Sequence, residues 1–477
     1  MKLPTNKTKI VCTIGPASES REVIEQMILA GMNVARINFS HGDFESHQKV
    51  IENVRAAARA VGRRVAIMGD LPGPKMRIGQ LSNEPIELRA GDTFALTTDD
   101  IVGDADKVSV SFTRLPQVIK PGDTMFLNDG LIQLEVVKVE GNDVTCRVVV
   151  GGELRSRKGL NLPGVDLGIS AFTDRDHQCL KFALKEGVDA LSQSFVESRK
   201  DIEAVRNAAA DLGYSPFIVA KIERSRALDH IDCILDAADA IMIARGDLGV
   251  EIPIEQIALI QKGLMRKAGM FGKPIITATQ MLESMTTNRR PTRAEATDVA
   301  NAILDGTDCV MLSGESAIGE YPVDAVAMLA KIAATIEPSR PSPYVRETLK
   351  AASRNAKISV KDLIALSVET TVDRISPAAV FVPTHGGATV RSITRFRLPV
   401  WITAVSSQET TCQRLQFSYG VYPQFETDHP ENWNAYISDW LHAHDVKGNL
   451  VVLTEGPSGK HPETNNRMEI IELSRTW

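Results

Sequence analysis

The chain is expected to be an α/β protein: a (β/α)8 barrel with an inserted all-β lid domain and a C-terminal α/β domain. Two observations carry this. Apolar strand-like runs alternate with helical periodicity over the first 68 residues and again from about residue 172, and together the two stretches supply eight strands. Between them, residues 85–160 switch to period two, with turn signals at Ala90-Gly91-Asp92, Pro121-Gly122-Asp123 and Gly141-Asn142-Asp143. The barrel is thus interrupted after its third strand.

Taken in order, residues 9–14 read as the first strand. Ser20 opens a helix with apolar Val23, Ile24, Met27 and Ile28, and Gly31 closes it. Residues 34–39 form the second strand, 46–60 a helix and 65–68 the third strand. After the insertion come strands at 188–194, 217–222, 240–244, 274–279 and 309–313. A helix over 322–336 and a Pro-rich stretch at 337–344 end the barrel. The tail alternates again, with strands expected at 363–368, 379–383, 400–405 and 450–454. The expected division is 1–69 and 171–340 for the barrel, 70–170 for the lid and 341–477 for the C-terminal domain.

At 477 residues the chain is too long for one core and should hold two to four domains. Charged residues at 24% and apolar residues at 43% match an ordinary globular protein, and aromatics at 5% suit aliphatic α/β cores. A net charge of −6 gives no bulk attraction for nucleic acid or an anionic membrane. Cys12, Cys146, Cys179, Cys233, Cys309 and Cys412 are widely spread, which argues against a disulfide framework or a zinc site and fits a reducing cytoplasm. The polar first nine residues and the lack of a long apolar run point away from secretion or membrane insertion.

Two of the buried strands end abruptly in charge. Lys221 and Glu223 close the run at 217–222, and Arg245, Gly246 and Asp247 follow 240–244. C-terminal strand ends of a barrel face its active site. Two carboxylates there, Glu223 and Asp247, can hold a hard divalent cation, and Lys221 can stabilise developing negative charge. The bland alternative is a surface salt bridge between two loops. Strand alternation puts Arg36, Asn38 and Ser40 on one face, where Arg36 can clamp a phosphate, and His41 follows. Asp70, Lys75 and Arg77 lie in the stiff hinge Gly69-Asp70-Leu71-Pro72-Gly73-Pro74-Lys75-Met76-Arg77, which by itself is also a plain linker. Thr279 and Ser313 end two further strands with hydroxyls able to relay a proton or simply cap.

Thr8-Lys9-Ile10-Val11-Cys12-Thr13-Ile14-Gly15-Pro16-Ala17-Ser18, the run from Arg36 to Gly42, Lys158-Gly159-Leu160-Asn161-Leu162-Pro163-Gly164, Ala220 to Glu223 and Ala244 to Gly249 resemble the pyruvate kinase family. Ala278-Thr279-Gln280-Met281-Leu282-Glu283-Ser284-Met285, Arg290-Pro291-Thr292-Arg293-Ala294-Glu295 and Leu312-Ser313-Gly314-Glu315-Ser316 continue the match in the family's order. The likeness, of the bacterial type, implies transfer of the phosphoryl group of phosphoenolpyruvate to ADP, giving pyruvate and ATP in glycolysis.

The resemblance further implies Mg²⁺ or Mn²⁺ on Glu223 and Asp247, and phosphoenolpyruvate held by Arg36, Lys221, Thr279 and the backbone of Arg245, Gly246 and Asp247. It implies chemistry by Lys221 and Arg36 with a proton path near Thr279 and Ser313. The nucleotide would meet Asn38, His41, Arg77 and Lys158. Many members also need K⁺ at positions matching Asn38, Ser40, Asp70 and the carbonyl of residue 71. Those members carry Thr, Glu and Thr where this chain has Leu71, Lys75 and Ile78, so the chain resembles the branch that works without K⁺, with the Lys75 ammonium in the cation's place. The turn Thr384-His385-Gly386-Gly387-Ala388-Thr389 matches the loop that takes a phosphorylated activator, though a serine usually stands where Gly386 does. A structural turn is the alternative there, and the activator's identity stays open among sugar phosphates and AMP. The loop 455–460 could close over the same ligand. A cytoplasmic homotetramer is implied, with no nucleic-acid or membrane partner.

Two rival readings fit part of this pattern. A Mg²⁺-dependent aldolase or lyase of the phosphoenolpyruvate group would lack the lid and need no Lys158. An interaction-only descendant would have lost one of Lys221, Glu223, Asp247, Arg36 or Thr279, and all are present.

Overall fold

The computed structural model describes residues 2–341, 344–355, 358–457 and 465–473. Eight parallel strands close into a barrel: Lys9–Thr13, Val34–Asn38, Ala66–Leu71, Ala190–Gln193, Phe217–Ile222, Ala240–Ala244, Ile275–Ala278 and Cys309–Leu312. Each pairs with its sequence neighbours, and the first pairs with the last, Lys9 opposite Cys309. Parallel strands covered on both faces are largely apolar, which is why these runs were readable. The ring is filled by Val11, Val34, Met68, Val219, Met242 and Met311, all essentially inaccessible.

The helix Arg21–Ala30 starts on Ser20, whose hydroxyl accepts the Val23 amide at 3.3 Å, and ends at Gly31 as expected. The third barrel strand runs on through Asp70 and Leu71, past residue 68, where it was expected to end, and past the expected domain boundary at 69. A carboxylate can continue a buried strand here because Asp70 is fully paired by neighbouring side chains, described below. Gly69 in the same strand is packed so closely that an added Cβ would lie 2.7 Å from the Phe39 ring.

The chain leaves the barrel after Leu71 and builds a separate β unit. Six strands form its main sheet, with Ile132–Glu140 and Asp143–Val150 as a central hairpin, and Ile86–Leu88 pairs with Gly152–Leu154. The hairpin turns at Gly141, whose φ of 57° is left-handed. Phe94, Leu96, Leu134, Val144 and Cys146 give this unit its own core. It touches the barrel top through its tip: a Cβ on Gly130 would sit 3.2 Å from Val250.

The C-terminal part is a five-stranded sheet ordered Val421–Phe425, Trp401–Ser406, Ala379–Pro383, Leu450–Glu455 and Arg467–Glu472, the last antiparallel. One expectation fails here. The strand expected at 363–368 lies inside the helix Val360–Ile375. Ser359 caps that helix by accepting the Asp362 amide at 3.1 Å, and its buried positions Ala365, Val368, Glu369 and Val372 recur at helical spacing. Two edge strands, Val421–Phe425 and Arg467–Glu472, were not anticipated. The sheet is bound to the base of the barrel by Arg397, which forks onto Asp308 (2.7 Å to one oxygen), and by Lys9, whose ammonium donates to the Val421 carbonyl at 2.7 Å.

Candidate active site

Four ionisable side chains meet at the C-terminal ends of barrel strands, and all are buried: Arg36, Asp70, Lys221 and Glu223. The Arg36 guanidinium contacts Asp70 Oδ2 through Nε at 3.2 Å and through Nη2, while its Nη1 donates to Thr13 Oγ1 at 2.8 Å. Lys221 Nζ lies 2.7 Å from Glu223 Oε1, 2.8 Å from Ser194 Oγ and 3.4 Å from Asp70. The second Asp70 oxygen accepts from Ser192 at 2.5 Å. Glu223 Oε2 accepts the Phe195 amide at 2.8 Å.

Their proton affinities follow from this packing. Burial would raise the Asp70 carboxyl, but Arg36 and Lys221 outweigh it and bring its pKa down to about 2. Burial would lower the Lys221 ammonium, yet Asp70 and Glu223 hold it well above the ordinary lysine value. Lys221 is therefore a fixed positive charge and a poor proton donor. Glu223 is pushed up by burial, with Asp247 adding to the shift and Lys221 opposing it.

Asp247 stands across the cleft at the start of the helix Arg245–Glu251. Its carboxylate is exposed and makes no hydrogen bond or ion pair with another side chain among the described residues. Burial of its surroundings, and then the lid's Asp129, push its pKa up. A cation between these carboxylates would relieve both shifts. The donor set fits a hard divalent ion: two carboxylates, one of them uncommitted, with no soft ligand nearby. Among the described residues no group of three or more His, Cys, Asp or Glu is placed to hold a metal ion by itself, so such an ion would complete its shell with substrate oxygens and water.

The loop after the seventh strand is held in an unusual backbone. Thr279 and Gln280 take φ values of 68° and 52°, and Phe195 after the fourth strand takes 58°. Left-handed conformations at a β-branched and an aromatic residue carry strain that folds retain at functional sites. Thr279 Oγ1 accepts the Gly246 amide at 2.7 Å and donates to the Ala278 carbonyl at 2.7 Å. The Arg245 side chain turns back to Asp298 (2.8 Å) and the Thr279 carbonyl (2.8 Å), so it fastens the sixth strand to the seventh. Ser313 stands just before the short helix Gly314–Ala317 without a side-chain capping bond, and its amide donates to Glu315 at 2.7 Å.

The remaining expected residues surround this cluster. The Asn38 side chain accepts the Ser40 amide at 3.1 Å, and the Leu71 carbonyl accepts the Ser194 hydroxyl at 2.7 Å. His41, Lys75 and Arg77 are exposed along the cleft edge. Burial, then Lys75, Arg77 and Arg36 in turn, lower the His41 pKa, and burial, Arg77 and Lys221 lower that of Lys75. Arg77 Nη1 donates to the Arg157 carbonyl at 2.8 Å, and half-buried Lys158 follows on the lid. The residues expected to form an effector loop follow the strand Ala379–Pro383 of the C-terminal sheet, where Thr384 Oγ1 accepts the Gly387 amide at 3.0 Å. His385 and Gly386 are exposed there, and Thr389 sits in the helix that follows. Of the loop 455–460, residues 458–460 fall outside the described residues.

Three positioning residues escaped the sequence reading. Ser192 and Ser194 hold Asp70 and Lys221, and their period-two spacing at the end of the fourth strand was the available signal. Glu315, fully buried, links the Ser313 amide to the Leu282 amide (3.0 Å) and so fixes the Thr279 loop to the eighth strand.

A closed eight-stranded barrel with a β lid and a charged cluster at the strand ends defines a lidded barrel enzyme. The pyruvate kinase barrel-domain profile matches residues 5–326, and the pyruvate kinase alpha/beta-domain profile matches 362–471. A pyruvate kinase of Thermococcus litoralis is 50% identical over 482 residues, 99% of this chain and 100% of that protein. One from Bacillus licheniformis is 42% identical, over 96% of this chain and 79% of that protein. The crystal structure of a pyruvate kinase from Cryptosporidium parvum superimposes with a TM-score of 0.91 at 35% identity, covering 98% of this chain and 96% of that one. The chain belongs to the pyruvate kinase family. It is a kinase, transferring the phosphoryl group of phosphoenolpyruvate to ADP and releasing pyruvate and ATP.

Proposed function

We propose that the buried cluster of Lys221, Glu223, Asp70 and Arg36, facing the uncommitted carboxylate of Asp247, carries this reaction with Mg²⁺ or Mn²⁺. The observation that bears most weight is the Lys221 ammonium, locked as a cation between two carboxylates at the barrel mouth. Phosphoenolpyruvate would lie against Lys221, Arg36, Thr279 and the Arg245-Gly246-Asp247 backbone. The Gly246 amide must exchange its bond to Thr279 for the substrate carboxylate. Glu223 and Asp247 would hold the divalent ion, which when bound would supply Lewis-acid stabilisation of developing negative charge.

As the bond from phosphorus to the enol oxygen breaks and the bond to the terminal ADP oxygen forms, negative charge develops on the enolate. Lys221 neutralises it, and Arg36 donates to phosphoryl oxygens. Asn38, His41, Arg77 and Lys158 would position ADP. The enolate carbon then takes a proton along a path near Thr279 and Ser313. The lid, resting on Val250, would keep out water that could otherwise accept the phosphoryl group.

The proposal includes independence of K⁺. Three of the four oxygens that would ligate it already accept hydrogen bonds: Asn38 from Ser40, Leu71 from Ser194, Asp70 from Ser192 and Arg36. Lys75 brings an ammonium into the field of Asp70 and Asp247. ATP formation from phosphoenolpyruvate and ADP should therefore run at near-full rate with Mg²⁺ and tetramethylammonium as the sole monovalent cation. A rise of about tenfold or more on adding K⁺ contradicts this, and Lys75→Glu should create a K⁺ requirement.

We further propose a cytoplasmic homotetramer with a phosphorylated activator at Thr384, His385, Gly386, Gly387 and Thr389. No helix among the described residues is long and apolar enough to cross a membrane, and all six cysteines are free. A cavity of about 630 Å³ opens beside this loop, with Glu426, Asp428 and Glu455 on its other wall. Carboxylates repel a phosphate but accept hydroxyls, so the phosphate belongs on the loop and a sugar on the acidic wall. Activator should convert sigmoidal phosphoenolpyruvate dependence towards hyperbolic in the wild type and not in Thr389→Glu, with light scattering giving a tetramer. A monomer, or activation intact in Thr389→Glu, overturns the proposal.

A further inference from the structure

Directly after Glu223 comes a side chain with no part in the mechanism above. Arg224 is 2% exposed, and its guanidinium makes four hydrogen bonds to three different parts of the molecule. Nε donates to Glu197 at 3.1 Å, on the loop after the fourth strand. Nη1 donates to Glu251 at 3.1 Å, one helical turn beyond Asp247 on the same helix. Nη2 donates to the backbone carbonyls of Leu162 (3.3 Å) and Val165 (2.8 Å), where the lid returns to the barrel. The next two residues repeat the pattern. Ser225 bonds Glu251 through its amide and hydroxyl, both at 3.3 Å, and Arg226 bridges Asp166 (3.0 Å) and Glu197 (3.2 Å).

We propose that Arg224 is a positioning residue that sets the spacing of the Glu223 and Asp247 carboxylates and couples it to the seat of the lid. The geometry carries this in two steps. Peptide connection ties Arg224 to Glu223, and the bond to Glu251 ties it to the helix that bears Asp247. A shift of that helix relative to the fifth strand must therefore break or drag the Arg224–Glu251 pair. The other arm of the same rigid fork grips two carbonyls of the lid's return segment, so lid displacement pulls on the same guanidinium. Leu162 belongs to the lid's apolar core, which makes that segment move with the lid. Only a planar fork can serve three directions at once. A lysine would keep the charge near Glu251 and Glu197 but could not also span both carbonyls.

The inference rests on the reading of Glu223 and Asp247 as the metal pair, and the test separates the two. Mn²⁺ affinity is measured by electron paramagnetic resonance, and hydrogen exchange is followed over residues 160–171, for the wild type, Arg224→Lys, Arg224→Met and Glu223→Gln. Arg224→Lys should fold and melt near the wild type. It should nevertheless bind Mn²⁺ about 10-fold or more weakly, the scale on which partners of metal ligands act, and should exchange faster at the lid return. Arg224→Met should show both effects more strongly, and the double variant Arg224→Met/Glu251→Gln, which removes both charges of the buried pair, provides a foldable form if Arg224→Met alone is unstable. Wild-type Mn²⁺ affinity in Arg224→Lys, or weaker binding with unaltered exchange at the lid return, overturns the coupling. If Glu223→Gln also binds Mn²⁺ like the wild type, the metal reading falls and the coupling with it.

Discussion

Lys221→Met should lower kcat by about 10³-fold or more while leaving the affinity for phosphoenolpyruvate comparatively intact. Removal of one neutral donor from an oxyanion site costs about 10²–10³ in rate. Lys221 is a full charge, buried and held permanently protonated by Asp70 and Glu223. Its interaction strengthens as the enolate forms, so the loss falls on kcat more than on KM. Methionine keeps the volume of the stem but leaves Asp70 with Arg36 and Ser192 alone, and deprives Glu223 of its nearest cation. Breaking a buried pair costs about 3–5 kcal/mol, so thermal melts must accompany the kinetics. Turnover above about a tenth of the wild type in a folded variant would refute the role.

Glu223→Ala should raise the Mg²⁺ concentration for half-activity by more than the 10–100-fold that loss of a ligand's partner typically costs. Glu223 is the deeper of the two carboxylates, 2% exposed, and its second oxygen is fixed by the Phe195 amide at 2.8 Å. That bond orients the carboxylate before any ion arrives, so the loss includes pre-organisation as well as charge. Lys221 loses a counter-charge in the same variant, and some decline in kcat at saturating Mg²⁺ is expected too. An unchanged Mg²⁺ requirement would show that the ion sits elsewhere.

The barrel was legible because most of its strands are short, largely apolar runs, several of them closed by charge or a hydroxyl, as strands buried on both faces and open at one end should be. Lys221, Glu223 and Asp247 were legible as charge directly following an apolar run, Arg36 from strand alternation, and Asp70 only from its place in the hinge. The segment 363–368 misled because a short apolar run fits a strand and a helix equally, and only its cap at Ser359 and its burial spacing decide. Arg467–Glu472 went unseen because an exposed edge strand tolerates alternating charge, and Val421–Phe425 because its Pro423 is permitted only at an edge. Arg224 could not be read at all: its partners at 162, 165, 197 and 251 meet only through the path the lid takes back to the barrel.

The most direct measurement is a crystal of the protein grown with phosphoenolpyruvate and Mn²⁺, with the ion located by its anomalous scattering. The account predicts a single strong peak at bonding distance from one oxygen each of Glu223 and Asp247, with Lys221 against the phosphoryl group. A Mn²⁺ peak away from both carboxylates, with substrate bound, would contradict it.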